Sequence, residues 1–525
     1  MTDDLGSAAQ FQTVCSLFWW MLRLLLLLLP CSGYRHPHGN RPLRCTRASL
    51  QPASDEVIAG QEISAFLARE YGNSGTEWAV TRLAPMHALS PNECFKATSR
   101  EAAAAAAVVT APVFVKRSKG VPDSFPQHRL RYEFEGMRAF ARYSKGLIAE
   151  PLMYSDAQQV LVTEWLAGYV PLSSFFGFAG PAAAVQALDV GLDVYQAMGT
   201  AMGRAHARTH KACLDDAQRI ALAARFNNPE PFAAWDAHLF APTMRAIEGQ
   251  DGAGDDVLQL LRRYNAARPG ASQASGSGAL TDAVSRLRHT YLGKKESLVH
   301  ADLHSNNVLV RPPGRGDGAR RDRDDRQPFK VVNFEKCACG PAGLDLGMFL
   351  ASFLWYYPGH SDPSWRRGLA GGVLAVIDAY RQAFKVQITG AGGVARTRSV
   401  AIDVDAILDE VLVDALGFMG LYALFMAVHG SVAAGDDAPI EVLPLGGMPE
   451  LSFGDTAGRL AAVRRRQAAM SVHALLLYLD HTLDANGSDS GWRGCGVSAQ
   501  SFAAVFAADD KTLQRGMDHA TEFWY

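Results

Sequence analysis

The stretch that most restricts this chain is SLVHADLHSNNVLV, Ser297 to Val310. Two short β-type runs, LV and VLV, bracket a polar turn that holds His300, Asp302, His304, Asn306 and Asn307. Phosphoryl transfer needs an acceptor-only carboxylate to orient an attacking hydroxyl, and an oxygen ligand close by for magnesium. Asp302 suits the first task and Asn307, five residues on, suits the second. An Asx-rich turn in which Asp and Asn cap backbone groups has the same composition, so the loop alone leaves both readings open.

A second cluster favours the chemical reading. Phe329 to Glu335 reads FKVVNFE, a strand ending in polar residues, where kinases place a metal-binding D-F-G or D-x-E. Asn333 and Glu335 are therefore candidate metal ligands beside Asn307. The 31-residue interval from Asp302 to Asn333 is long for a hairpin, and the mixed-charge run Arg315 to Gln327 accounts for the excess. CGPAGLDLGMFLASF follows, a Gly-Pro turn and an apolar helix whose start holds Asp345, expected to brace the loop rather than touch substrate. Cys337 and Cys339 have no partners at metal spacing and read as structural thiols.

Composition narrows the classes. The 51 basic and 53 acidic residues of the 525-residue chain nearly cancel, which removes the footprint of a dedicated nucleic-acid binder. Eight cysteines are too sparse for a disulfide scaffold. After the first 35 residues no segment approaches an uncharged apolar run of 18, so the folded body reads as soluble, without a membrane partner. The head differs. Val14 to Cys31 is apolar apart from Arg23, and Gly33 to Leu50 carries Arg35, Arg41, Arg44 and Arg47 without an acid. Residues 1–55 thus read as a two-part organelle import signal, with a plastid as one destination. A signal-anchor, or an upstream start with a cytoplasmic product, stays open.

Strand-like runs cluster before about residue 165 and helical patterns follow. The expected fold is α+β and bilobal: a small β-rich N-lobe over 56–166, a large helical C-lobe over 167–487, and a C-terminal extension over 488–525. Solvated insertions are expected near 250–278 and 315–327, from their Gly/Ser content and mixed charge.

The H-x-D-L-H-x-x-N loop, the N-F-E strand end and the G-P-x-G-x-D-L-G-x-F helix start together resemble the aminoglycoside-phosphotransferase and choline-kinase-like superfamily. Within it they look most like 5-methylthioribose kinase. RFNNPEPFAAWDAHLFAPTM, Arg225 to Met244, is similar to that family's F-x-N-P-E-L segment, and GRLAAVRRRQAAMSVHALLLYL to its final long helix. The resemblance covers about residues 60–485 and implies a protein-kinase-like fold with ATP and Mg2+ as cofactors. It also implies a small-molecule alcohol as substrate, with 5-methylthioribose, in methionine salvage, as the best guess. Asp302 would then be catalytic. Lys116, ending the strand APVFVKR, would align the nucleotide phosphates, with Glu133 of RLRYEFEGMRAF as its partner in preference to Glu135. The segment Glu164, Trp165 and Leu166 would be the hinge that meets adenine through backbone groups. A homodimer stays open.

Three departures go with the resemblance. Asn333 stands where the family has a metal-binding aspartate, with Glu335 available to compensate. ALSPNECFKAT, Ala88 to Thr98, holds no glycine where a phosphate-covering loop is expected, only an N-x-x-F remnant at Asn92 and Phe95. LGFMGLYALFMAVHG contains no arginine where methylthioribose kinases carry a substrate-gripping pair. Choline, an amino sugar or another sugar therefore remain alternative acceptors, and a non-catalytic pseudokinase binding module is the rival class. A membrane-tethered protein rests on the head alone.

Overall fold

The computed structural model describes residues 52–71, 77–83, 92–99, 111–119, 128–144, 146–177, 181–249, 256–267, 278–311, 329–359, 363–390, 403–429, 453–487 and 499–507. Residues 57–431 and 442–525 form one compact unit. The second unit, 1–56 with 432–441, falls outside the described residues except for the first turn of one helix. The import-signal expectation for 1–55 and the 315–327 insertion fall almost wholly outside them as well.

Five antiparallel strands build the N-terminal sheet: β1 (Trp78–Arg82), β2 (Asn92–Ser99), β3 (Val113–Ser118), β4 (Pro151–Ser155) and β5 (Val160–Glu164), in the order β1-β2-β3-β5-β4. Side chains alternate across a strand, so Val113 and Val115 face one way and Lys116 the other. The apolar face is roofed by the Pro52–Tyr71 helix. Its Ala59, Ile63, Phe66 and Leu67 repeat at helical spacing and pack with Trp78, Phe95, Val113, Val115, Val160 and Val162 in a core of their own. This roof begins before residue 56. The Asn92–Phe95 remnant is not a loop: both residues lie in β2, and Phe95 is fully buried in that core.

The remainder is helical around a second, larger core. Two small sheets position the polar loops: β6 (Val170–Pro171) pairs with β8 (Val308–Val310), which pairs with β9 (Phe329–Val331), while β7 (Ser297–Val299) pairs with β10 (Ala338–Gly340). The fold is thus α+β with two lobes, as expected. The Ala342–Tyr356 helix runs through the centre against the Val404–His429 helix. Gly343 and Gly347, one turn apart, let them meet: a Cβ at either would lie 2.5 Å from Asp414 Cβ or Ala415 O. Val404–Val428 is long and apolar enough to cross a membrane, yet 83% of its apolar window is buried inside the fold, as suits a core helix.

Two stretches differ from expectation. Asp256–Ala267, inside the supposed solvated insertion, is a helix that buries Val257, Leu258, Leu260 and Leu261. Ala499–Ala507, inside the supposed extension, is a helix whose Phe502, Val505 and Phe506 join the large core. Both are short amphipathic patterns that follow a Gly-rich stretch, and that stretch hid the period.

Candidate active site

The loop between β7 and β8 is held by one buried carboxylate. Asp345 Oδ2 accepts from His300 N at 2.7 Å, and Oδ1 accepts from Ala301 N at 2.8 Å. Those bonds hold Ala301 at φ +60°, a left-handed conformation that costs a non-glycine residue on the order of 1 kcal/mol. Hydrogen bonds to a charged acceptor contribute about 1.5–3 kcal/mol each, which is enough to keep the kink. His206, from the Pro181–Thr209 helix, contacts Asp345 Oδ2 through Nε2 at 3.2 Å and Tyr380 Oη through Nδ1 at 3.0 Å. Asp345 therefore braces the loop. His300 accepts from Asp302 N at Nδ1 and donates to Val332 O from Nε2, and burial pulls its imidazole below the ordinary value, so the ring is neutral.

The kink delivers Asp302 and Asn307. Asn307 Nδ2 donates to Asp302 O at 2.7 Å, which leaves Oδ1 as the amide's acceptor oxygen. Asp302 Oδ2 lies 2.9 Å from Lys336 Nζ, and Oδ1 lies 3.8 Å from His304 Nε2. Burial pushes the Asp302 carboxyl up, but Lys336 and then His304 outweigh it and hold the group below its usual range. It is therefore an acceptor at neutral pH.

A second polar centre lies one turn away. Lys116 Nζ contacts Glu133 Oε2 at 2.7 Å, Asn333 Oδ1 at 2.8 Å and Glu335 Oε2 at 3.3 Å. Glu133 comes from the Arg129–Ala141 helix, on the face of the sheet opposite the roof. Burial pulls the lysine down, and Glu133 and Glu335 outweigh it, so it stays cationic. Glu335 also accepts from Asn92 Nδ2 at 3.1 Å, and Asn92 Oδ1 accepts from Arg129 at 2.7 Å. Burial raises the Glu335 carboxyl, while Lys116 and Arg129 more than offset that and hold it low. Asn333 sits at φ +67°, a region Asn tolerates better than most residues.

The turn Asn333–Lys336 joins the centres, with Glu335 on Lys116 and its neighbour Lys336 on Asp302. Lys116 meets Glu133 and Glu335, Lys336 meets Asp302, and Arg129 reaches Glu335 through the Asn92 amide. Asn307, Asn333 and Glu335 offer oxygen donors of the kind magnesium prefers, with a single carboxylate among them. No group of three His, Cys, Asp or Glu with metal-holding geometry occurs among the described residues.

Glu164, the first hinge candidate, ends β5 three residues beyond Leu161, the neighbour of Lys116, about 10 Å along the strand, and Trp165 and Leu166 follow it. Glu164 N donates to Glu150 O at 3.0 Å, and its carboxylate takes Lys330 Nζ at 2.6 Å and Glu150 N at 2.8 Å. Glu164 is thus committed to the sheet. Trp165 lies under Lys96 Nζ at 5.0 Å, and the Leu166 amide makes no hydrogen bond among the described residues.

Sequence reasoning missed Lys336, Arg129, His206, Asn228 and Trp235. Asn228 Nδ2 reaches Cys337 O at 3.3 Å, and Trp235 Nε1 donates to Ala301 O at 3.1 Å, so the N-P-E segment props both polar loops. The signal for these two was their position within that segment. Lys336 adjoins a recognised motif without belonging to it.

No protein-family model matches the chain. Curated sequences do. The methylthioribose kinase of Bacillus velezensis is 25% identical over 157 residues, 30% of this chain and 34% of that protein. The methylthioribose kinase of Yersinia enterocolitica is 33% identical over 94 residues, 18% of this chain and 20% of that protein. This chain is similar to methylthioribose kinases. It spans about a third or less of the length of these relatives. Among solved structures, a choline kinase from Cryptosporidium parvum aligns with a TM-score of 0.40 at 10% identity, covering 81% of this chain and 97% of that one. A glucosamine kinase in complex with glucosamine, ADP and inorganic phosphate aligns at 0.37 and 17% identity, covering 81% and 82%.

Proposed function

We propose that the chain transfers the γ-phosphate of ATP to a hydroxyl of a small molecule. The observation that carries this is the pairing of two centres across one turn: Lys116 clasped by Glu133 beside Asn333 and Glu335, and Asp302 with Asn307 on a braced loop. In this reading Lys116 aligns the nucleotide phosphates and Glu133 holds it. The hinge from Glu164 to Leu166 borders the adenine, with the Leu166 amide as donor. Asp302 accepts the acceptor's proton as its oxygen bonds to the γ-phosphorus, the bond to the β–γ bridging oxygen breaks and ADP leaves. Asn307, Asn333 and Glu335 would hold Mg2+, whose charge offsets that of the phosphates.

Within that class, similarity to methylthioribose kinases supports 5-methylthioribose as the acceptor in this reading, with a role in methionine salvage. The arginine-free, buried Val404–His429 helix keeps other sugars, amino sugars and choline in the comparison. A pseudokinase module is the second reading, and Asn333 is the observation that favours it. The deciding test is ATP turnover by the full chain with magnesium and a panel of 5-methylthioribose, ribose, glucosamine and choline, alongside Asp302→Asn. The variant should lose turnover by about 10²–10⁴-fold while still binding ATP. Near-normal turnover would remove Asp302 from its role, and zero turnover with every alcohol would sink the kinase reading.

A further inference from the structure

We infer that Lys336 is a specificity-determining residue that excludes cationic acceptors from Asp302. The inference rests on the proposed phosphotransfer site and names the class of acceptor it takes: a neutral hydroxyl compound, with no ammonium near the reacting oxygen.

Any hydroxyl oriented by Asp302 must come within hydrogen-bond distance of a carboxylate that is only 6% exposed. Lys336 Nζ already lies 2.9 Å from Oδ2 of that carboxylate, with its side chain 30% exposed. An ammonium a few bonds from the reacting hydroxyl would therefore meet an ammonium of the same sign at short range, in partly desolvated surroundings. The aromatic rings point the same way. Cations are drawn to the faces of Trp and Tyr, and Trp235 and Tyr422 flank this loop with ring centroids 6.0 Å apart. Lys336 Nζ lies over the Trp235 ring at 4.5 Å. His304 is stacked on Tyr422, nearly parallel, at 6.5 Å. One face of each ring is already covered, the first by a cation of the chain itself. Lys336 thus occupies the place an amino-alcohol's charge would take, both at the carboxylate and on the indole.

Such exclusion is specificity by repulsion, and it works against one class of ligand without needing a contact to the favoured one. A neutral sugar can instead lie against the aromatic edge and accept from the ammonium.

The test uses pairs matched in shape and differing in charge: choline against 3,3-dimethylbutan-1-ol, and glucosamine against glucose. Equilibrium binding and kcat/KM are measured for the wild-type full chain, Lys336→Gln and Lys336→Arg. The wild type should favour the neutral member of each pair by on the order of tenfold. Lys336→Gln should bring the ratio to one or below, and Lys336→Arg, which keeps the charge and serves as the folded control, should preserve it. A wild-type preference for the cation, or an unchanged ratio in Lys336→Gln, overturns the inference. A shift in binding ratio without turnover of these four compounds keeps the Lys336 role, and the kinase reading is then decided by the panel that includes 5-methylthioribose. Failure of both pairs to bind any of the three proteins overturns the inference.

Discussion

Lys116 Nζ lies 2.8 Å from Asn333 Oδ1, so a buried lysine bonds a neutral amide where the family resemblance places a carboxylate. Asn333→Asp adds a negative oxygen within reach of Lys116 and of any magnesium held by Glu335. Half-saturating magnesium should fall severalfold, and turnover at limiting metal should rise. ATP turnover titrated with magnesium checks this. A lower activity in Asn333→Asp would mean that Glu335 already supplies the needed charge and that the two carboxylates repel.

Asp345 holds two backbone donors at the loop kink, so Asp345→Ala leaves His300 N and Ala301 N buried without an acceptor. Each orphaned donor costs about 1–3 kcal/mol. Chemical denaturation should show a loss of a few kcal/mol, and kcat should fall more than KM rises as Asp302 loses its position. If stability falls with kcat untouched, Asp345 is a packing residue only.

A buried charge cluster away from the site sets a pH response. Lys294 contacts Asp414 at 2.5 Å, Glu410 at 2.7 Å and Glu296 at 3.5 Å, and His210 lies 3.8 Å from Glu296. Burial pushes the Asp414 carboxyl up to about 7, against the pull of Lys294 and helped by Glu296. Between its ordinary value near 3.8 and 7 the folded state then holds a proton that the unfolded chain has lost. Asp414's contribution is present in full below that window and is lost as pH rises through 7, by on the order of 4 kcal/mol. Burial also pushes Glu296 up, but the nearby His210 and the charge of Lys294 outweigh it and bring it down to about 2, so its own contribution is lost as pH falls from about 4.5 to 2, outside the range tested below. Asp414→Asn should therefore flatten the melting temperature between pH 4.5 and 7. An equal slope in both proteins would reject the assignment.

What could be read from the sequence was what lies close along the chain. Asp302 and Asn307 share one loop, and Asn333 and Glu335 share one turn, so their residue types and spacing carried the pattern without a fold. Lys116 and Glu133 are named through the family resemblance, because a lysine ending a strand and a glutamate on the next helix carry no local mark of a buried pair. Arg129 and Asn92 join the site through packing between segments far apart in sequence, and Trp235 is marked only by its place in the N-P-E segment. Asn92 resembles a loop remnant in sequence because its partner Glu335 is 243 residues away. Glycine-rich stretches ahead of them concealed the helices at 256–267 and 499–507, whose apolar residues find their reason only in the second core.

The turn from Asn333 to Lys336 has a consequence of length rather than of composition. In a 3₁₀ turn each residue advances the side-chain direction by about 120°. Deleting one residue there would swing the Lys336 ammonium away from Asp302 and the Glu335 carboxylate away from Lys116 in a single step. A change of side chain, such as an amide for an acid, disturbs one centre and leaves the other wired. The turn can therefore drift in chemistry while its count of residues stays fixed.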